Sequence, residues 1–296
     1  MTNIRSRGEY IFAVFNYAIM SLICLITIYP LWHIAMASIS DPVAVLSHRG
    51  FYFLPTGTLN FKGYKLVIEN PNISTGFINT IWYVTVGTVL CMIVTVLGAY
   101  VLSRKGPFWN RPIMLMIIFT MYFQGGLIPF YIMVKNMGLL DSQWSIVLPV
   151  MVNTWNLIIL RTSFAGVPDS LMESAQIDGA SELRIIWQIV VPCSQATVAV
   201  IILFYAVGFW NMWFNPSIFL TDRTKWPVFL VLRDILIKND TNSMTQVSAV
   251  GQTTQEAYRT LVKYCTIIVA TVPILVIYPF VQKYFVGGIM IGSIKG

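Results

Sequence analysis

Residues 173–192 read ESAQIDGASELRIIWQIVVP, and how they are read decides the organisation of the chain. The segment carries Glu173, Asp178 and Glu182 around a glycine, then closes on an apolar run and Pro192. It is too polar to cross a bilayer, where one charge near the centre costs about 2.5–3.5 kcal/mol. Its local signals are those of two short helices. Ser170-Leu171-Met172-Glu173 has the Ser-x-x-Glu pattern of a capping box, which predicts a helix over about 171–178. Asp169 suits the positive end of that helix. Gly179 can take the left-handed conformation that ends it. A second helix is expected from Ser181, with Leu183, Ile186, Ile189 and Val190 at helical spacing. Pro192 lies where it must stop or kink.

The flanks on both sides are strongly apolar. The chain has 296 residues, 56% hydrophobic and 10% charged, against about 25% charged in soluble domains. No Asp, Glu, Lys or Arg occurs in residues 10–40, 70–103, 112–134, 142–160, 185–221 or 264–282. Roughly 20 helical residues span the hydrocarbon core, so each window holds one crossing. The expected fold is an all-α integral membrane protein of about six transmembrane helices, over residues 11–36, 76–102, 112–134, 144–160, 196–219 and 263–282. It is one membrane domain over 1–296, with outer loops at about 38–75 and 221–262. The 168–195 segment and a tail at 283–296 lie on the inner side.

The net charge of +7 is scattered through connecting segments, which suits membrane topology rather than nucleic acid. Arg5 and Arg7 precede an apolar run longer than a secretory signal core, so a retained first helix is expected. With the N-terminus inside, inner segments hold nine of the 19 basic residues and outer segments ten. The inner segments are shorter, and 104–111 alone contains Arg104, Lys105 and Arg111. The positive-inside rule thus leans towards both termini in the cytoplasm. The four cysteines have no CxxC or metal spacing and read as small hydrophobes; no metal site is expected.

An amphipathic connector resting on headgroups would need a Lys/Arg-rich polar face. Between Asp169 and Ser194 there are four acids and one base, Arg184, which favours a protein partner. The order Glu173-Ser174-Ala175, Gly179, Ile189-x-Val191-Pro192 resembles the EAA signature of ABC importer permeases. Ile177-Asp178-Gly179-Ala180 matches that family's wording, while Ser174 and Val191 depart from it. Gln124-Gly125-Gly126-Leu127-Ile128-Pro129, Asn153-x-Trp155-Asn156, Phe209–Trp213 and the 287–296 ending resemble the LplC/MalG-type carbohydrate permeases.

That resemblance implies the type I importer fold and a place in the bacterial cytoplasmic membrane. The chain would be half of a heterodimeric pathway, with a second permease subunit, two ATPase subunits and an extracytoplasmic solute-binding protein delivering an oligosaccharide. Glu173, Ser174, Ala175, Asp178, Gly179, Ala180, Ile189 and Pro192 would couple to the ATPases, and Ser293, Lys295 and Gly296 in the tail would touch them. ATP and Mg would sit on those partners, since this chain has no GxxxxGK[ST] loop. Nor does it contain HExxH or GxSxG, so no catalytic residue is expected.

Sugars are held by aromatic faces and amides, which makes Tyr122, Gln124, Asn153, Trp155, Asn156, Trp210 and Asn211 candidates for the substrate path. Two other readings stand beside this one: an interfacial aromatic belt and helix-joining amides. His33 reads as a helix–helix hydrogen-bond partner ahead of a proton relay. A transporter or channel working without ATP is the alternative function. It should carry intramembrane charges, which the six windows lack.

Overall fold

The computed structural model describes residues 7–48, 50–104, 106, 108–238 and 252–293, and among them there are helices and turns but no strand. Among the described residues, three helices are long and apolar enough to cross a membrane unaided: Gly8–Ser38, Pro71–Ser103 and Glu256–Val276. Three further candidates are bent pairs: Asn110–Tyr122 with Leu127–Asn136, Trp144–Val150 with Thr154–Ala165, and Glu182–Cys193 with Gln195–Trp210. Six spans result if each pair counts as one.

The first two bends correct the expectation of unbroken helices over 112–134 and 144–160; the third lies where Pro192 was expected to stop or kink its helix, and the expected span 196–219 is interrupted instead after Trp210. The first pair turns by 117° at residues 123–126, where Gly126 takes φ +84°, open to glycine at little cost. The second turns by 49° after Pro149, and Asn153 starts a new helix by accepting the Asn156 N–H at 3.0 Å. The third turns by 92° at Ser194, just past Pro192. Beyond Trp210 the chain breaks and restarts as Phe214–Phe219, with Pro216 in the first turn, where a missing N–H leaves no helical bond unmade. The expected outer loop at 221–262 contains the helix Val228–Lys238.

The chain divides into two compact units. The first comprises residues 1–70 and 234–272. In it Gly63 lets two helices approach so closely that a Cβ there would stand 2.7 Å from Cys265 Sγ. Ser38 Oγ and Tyr64 OH lie 2.6 Å apart, and Cys265 Sγ donates to Ser38 O at 3.3 Å. The helix Arg7–Ser38 leaves its large apolar side chains from Tyr10 to Ile28 exposed, as a lipid-facing span does.

The second unit comprises residues 71–233 and 273–296. Its core joins the Pro71–Ser103 helix (Cys91, Val96, Ala99) to the Thr154–Ala165 helix (Leu157, Leu160, Phe164). Tyr83, fully buried, opens a π-helical turn over Tyr83–Gly87. A Cβ on Gly87 would stand 2.6 Å from the Phe209 ring, so the bare backbone is what allows that aromatic to lie there.

Candidate functional site

The Asp169–Ile177 helix forms the first half of the polar segment. It starts earlier than the capping box implies, directly after Pro168, and no side chain caps it. The Ser170 carbonyl instead accepts the Ser174 hydroxyl at 2.9 Å, and Asp169 faces Arg104 at 3.8 Å. A Pro at the cap position already fixes φ, and the carboxylate meets a cation, so the hydroxyl is not needed there. The C-terminal end follows the expectation for Gly179. Its φ is +80°, the Ala180 N–H reaches Ala175 O at 2.9 Å, and the Gly179 N–H reaches Gln176 O at 3.0 Å. This pair of bonds is a Schellman motif, which closes the last carbonyls of the helix.

Ser181 is extended, and the second helix runs from Glu182 to Cys193. Within it Ile186–Val190 widens into a π turn immediately before Val191-Pro192-Cys193. Pro192 has no N–H for the Gln188 carbonyl and its ring would crowd that oxygen, so a wider turn relieves the conflict. The two helices have distinct faces. Met172, Ile185, Ile186 and Val190 are buried in the core of the second unit. Glu173, Ser174, Asp178, Gly179 and Pro192 are exposed, and Ile177 stands 86% exposed at the turn. Ala175, Asp178, Ala180, Arg184 and Ile189 line a cleft of about 300 Å³ between the helices, and Arg184 is held by Gln188 at 2.8 Å. The pair is therefore anchored from behind and presents an exposed Ile beside carboxylates on its free face.

A second feature is a cavity of about 700 Å³ in the same unit. It brings together Asn153, Trp155, Asn156 and Asn211, with Tyr205 and Phe209 from the Gln195–Trp210 helix. A smaller cavity of about 320 Å³ holds Gln124 beside Asn153 and Trp155. Tyr122 is exposed and lines neither, while Trp210 lines neither and packs on Phe77 with ring centres 6.3 Å apart. Asn153 also caps its helix, and its N–H donates to the Tyr205 hydroxyl at 3.2 Å, which lies 2.8 Å from Thr95 Oγ1. Tyr205 was not among the sequence candidates. Its place as the single hydroxyl of the apolar run 198–210 was the signal that could have found it. Among the described residues, no Asp, Glu, Lys, Arg or His lines either cavity.

Among the described residues no three His, Cys, Asp or Glu side chains gather as a metal site, and all four cysteines are free. His33 Nδ1 lies 3.2 Å from the Tyr29 hydroxyl, one turn earlier on its own helix, while its ring meets Tyr264 of the Gln252–Ser293 helix edge-on with centres 6.5 Å apart. The helix Gln252–Ser293 carries the tail as far as Ser293; Lys295 and Gly296 lie outside the described residues.

No family model matches the chain. It is, however, 37% identical over 286 residues to the polygalacturonan/rhamnogalacturonan transport system permease YtcP of Bacillus subtilis, covering 97% of this chain and 99% of that protein. The chain belongs to the carbohydrate ABC importer permeases. The LplC protein of the same organism is also 37% identical, over 293 residues, covering 98% of this chain and 97% of that one. Among solved structures, a chain of a bacterial ABC transporter that imports the acidic polysaccharide alginate superposes with a TM-score of 0.86 at 30% identity. That match covers 96% of this chain and all of the other. This permease is therefore a membrane component of an ABC importer complex and a non-catalytic transport subunit.

Proposed function

We propose that this permease forms half of a heterodimeric pathway for an oligosaccharide, and that two cytoplasmic ATPases drive it through residues 173–192. In this reading ATP and Mg bind the ATPases, and a solute-binding protein delivers the sugar from outside. The termini are both cytoplasmic, and the tail with Ser293, Lys295 and Gly296 gives the ATPases a second contact. Closure of the ATPases on ATP moves the docked pair and turns the pathway outward; hydrolysis resets it. The supporting observation is the two-faced helix pair: buried Met172, Ile185, Ile186 and Val190 behind, exposed Glu173, Ile177 and Gly179 in front. Such an element transmits displacement because its rear face is packed and its front face is free.

Glu173 and Asp178 supply charge to the contact, and Ala175 and Ala180 keep the cleft between the helices open. Asn153, Trp155, Asn156, Asn211 and Gln124 are the polar and aromatic surface for the glycan. Tyr122 and Trp210 stand apart from that surface and serve better as interfacial aromatics. The names of similar proteins favour a glycan of more than one sugar: besides YtcP, the diacetylchitobiose uptake permease NgcG of Streptomyces coelicolor is 25% identical over 288 residues.

The test is Glu173→Lys in the assembled transporter. ATP turnover stimulated by the sugar-loaded binding protein should vanish, while the complex still forms. Unchanged stimulation would remove the coupling role. Sugar uptake by this chain without an ATPase would support the alternative of a transporter that does not use ATP.

A further inference from the structure

We infer that Tyr100 and Glu182 form a strut that makes the coupling pair move as one body with the Pro71–Ser103 span. Neither residue belongs to the signature discussed above, and the inference rests on the coupling role proposed for residues 173–192.

One carboxylate joins three helices. Glu182 Oε2 accepts the Tyr100 hydroxyl at 2.5 Å, and Oε1 accepts Gln176 Nε2 at 3.1 Å. Tyr100 is buried on the core face of the span, so its ring is fixed and its hydroxyl is the one polar atom it offers. Four residues on, Arg104 ends the same span. Its guanidinium donates to Phe164 O at 3.1 Å and to Ser103 Oγ at 3.0 Å, and lies 5.0 Å from the Tyr100 ring centre. It also faces the Asp169 carboxylate at 3.8 Å.

The first helix is thus tied at its start through Asp169, the second through Glu182, and the two are tied to each other through Gln176. Both anchors fall on residues 100–104 of one span. Without them, a push on the exposed turn at Ile177 could be taken up by bending at Gly166 or at the Ser194 break. With them, the displacement must reach the span that packs on the Thr154–Ala165 helix. The bond to an ionised carboxylate is of the stronger, charge-assisted kind, and it is directional. Tyr100 and Glu182 are therefore positioning residues for coupling.

The experiment uses the complete complex, with both permeases, both ATPases and sugar-loaded binding protein, in lipid nanodiscs and in proteoliposomes. Tyr100→Phe keeps the buried ring and removes only the hydroxyl. It should leave assembly and basal ATP turnover unchanged and cut sugar moved per ATP about tenfold, the equilibrium factor of one charge-assisted hydrogen bond. Glu182→Ala should lower the sugar-per-ATP ratio at least as far, and the double variant should be no worse than Glu182→Ala alone. Glu182→Gln retains an oxygen for the Tyr100 hydroxyl but not the charge, and should keep a ratio between those of wild type and Glu182→Ala.

A wild-type ratio in Tyr100→Phe, or multiplication of the two losses in the double variant, overturns the strut. Loss of assembly in Tyr100→Phe also overturns it, since the bond would then serve folding. Gly179→Pro, measured in parallel, separates the two levels. If Gly179→Pro uncouples and Tyr100→Phe does not, only the strut falls; if Gly179→Pro is also silent, the coupling segment falls with it.

Discussion

Substituting Gly179 offers a graded test of the coupling turn, because backbone and steric effects separate cleanly there. Gly179 has φ +80°, and among the described residues nothing lies within 4 Å of where a Cβ would stand. Alanine therefore meets no wall and carries only the left-handed backbone strain of an L-residue, about 1–2 kcal/mol. The two bonds that close the turn, at 2.9 and 3.0 Å, contribute about 0.5–1.5 kcal/mol each. Strain and bonding are comparable, so Gly179→Ala should reduce the closed turn by a factor of about 5–30 without abolishing it. Asparagine tolerates the left-handed region and should lose less. Proline fixes φ near −65° and deletes the N–H that reaches Gln176 O, so the turn cannot form. Stimulated ATP hydrolysis by the reconstituted complex should fall in the order Gly, Asn, Ala, Pro, with Pro at the unstimulated level. Gly138→Ala is the control: its φ is +69° with equally open space, so it carries the same strain away from the turn and should leave coupling intact. A Gly179→Pro complex stimulated like wild type, or a Gly138→Ala complex as impaired as Gly179→Ala, would refute the reasoning.

Gly87→Val should press on the Phe209 ring, 2.6 Å from the new Cβ, and drive it into the 700 Å³ cavity it lines. Overpacking of this kind costs about 1–3 kcal/mol, visible in thermal unfolding, and the apparent KM for sugar uptake should rise. Asn153→Ala removes the cap on the Asn156 N–H and should cost about 0.5–2 kcal/mol, read as a lower melting temperature. The loop around Asp141 should be acid-sensitive. Its carboxyl is held below the ordinary range chiefly by the Asp222 N–H at 2.9 Å, with Thr221 and Lys225 adding. Asp222 is lowered too, chiefly by the Thr224 hydroxyl. A lowered folded pKa gives stabilisation that is complete above the unfolded value of about 3.9 and lost as pH falls through the folded one. The melting temperature should therefore drop below about pH 4, and Asp141→Asn, which keeps the left-handed φ of +57° accessible, should flatten that slope.

Much of the architecture was legible because charge exclusion from the bilayer is severe, so six uncharged windows foreshadow six crossings. The breaks within them were less visible. Gly125-Gly126 and Pro149 are weak signals in an apolar stretch, and only tertiary packing determines whether such residues bend a helix. The helix Val228–Lys238 was missed: Val228, Val231, Leu232 and Ile235 stand at helical spacing and are all buried, but the polar residues that follow made the whole of 221–262 read as a loop. In the coupling segment Gly179 was readable because few residues tolerate positive φ. The start at Asp169 was not, since Arg104, 65 positions earlier, supplies the countercharge. Tyr100 and Glu182 lie 82 positions apart, and no local pattern links them. The cavity was half visible: Asn153, Trp155, Asn156 and Asn211 stand out in their windows. Phe204 and Phe209, by contrast, are aromatic residues in an oily helix until the fold turns them towards the same space.

The most direct test of the account is oligosaccharide uptake into proteoliposomes holding this permease, with and without its sister permease, the ATPases and ATP. Uptake should require the whole assembly and ATP, and should disappear when Gly179→Pro is placed in this chain of an otherwise intact complex. Uptake by this chain alone, or undiminished uptake by the Gly179→Pro complex, would contradict it.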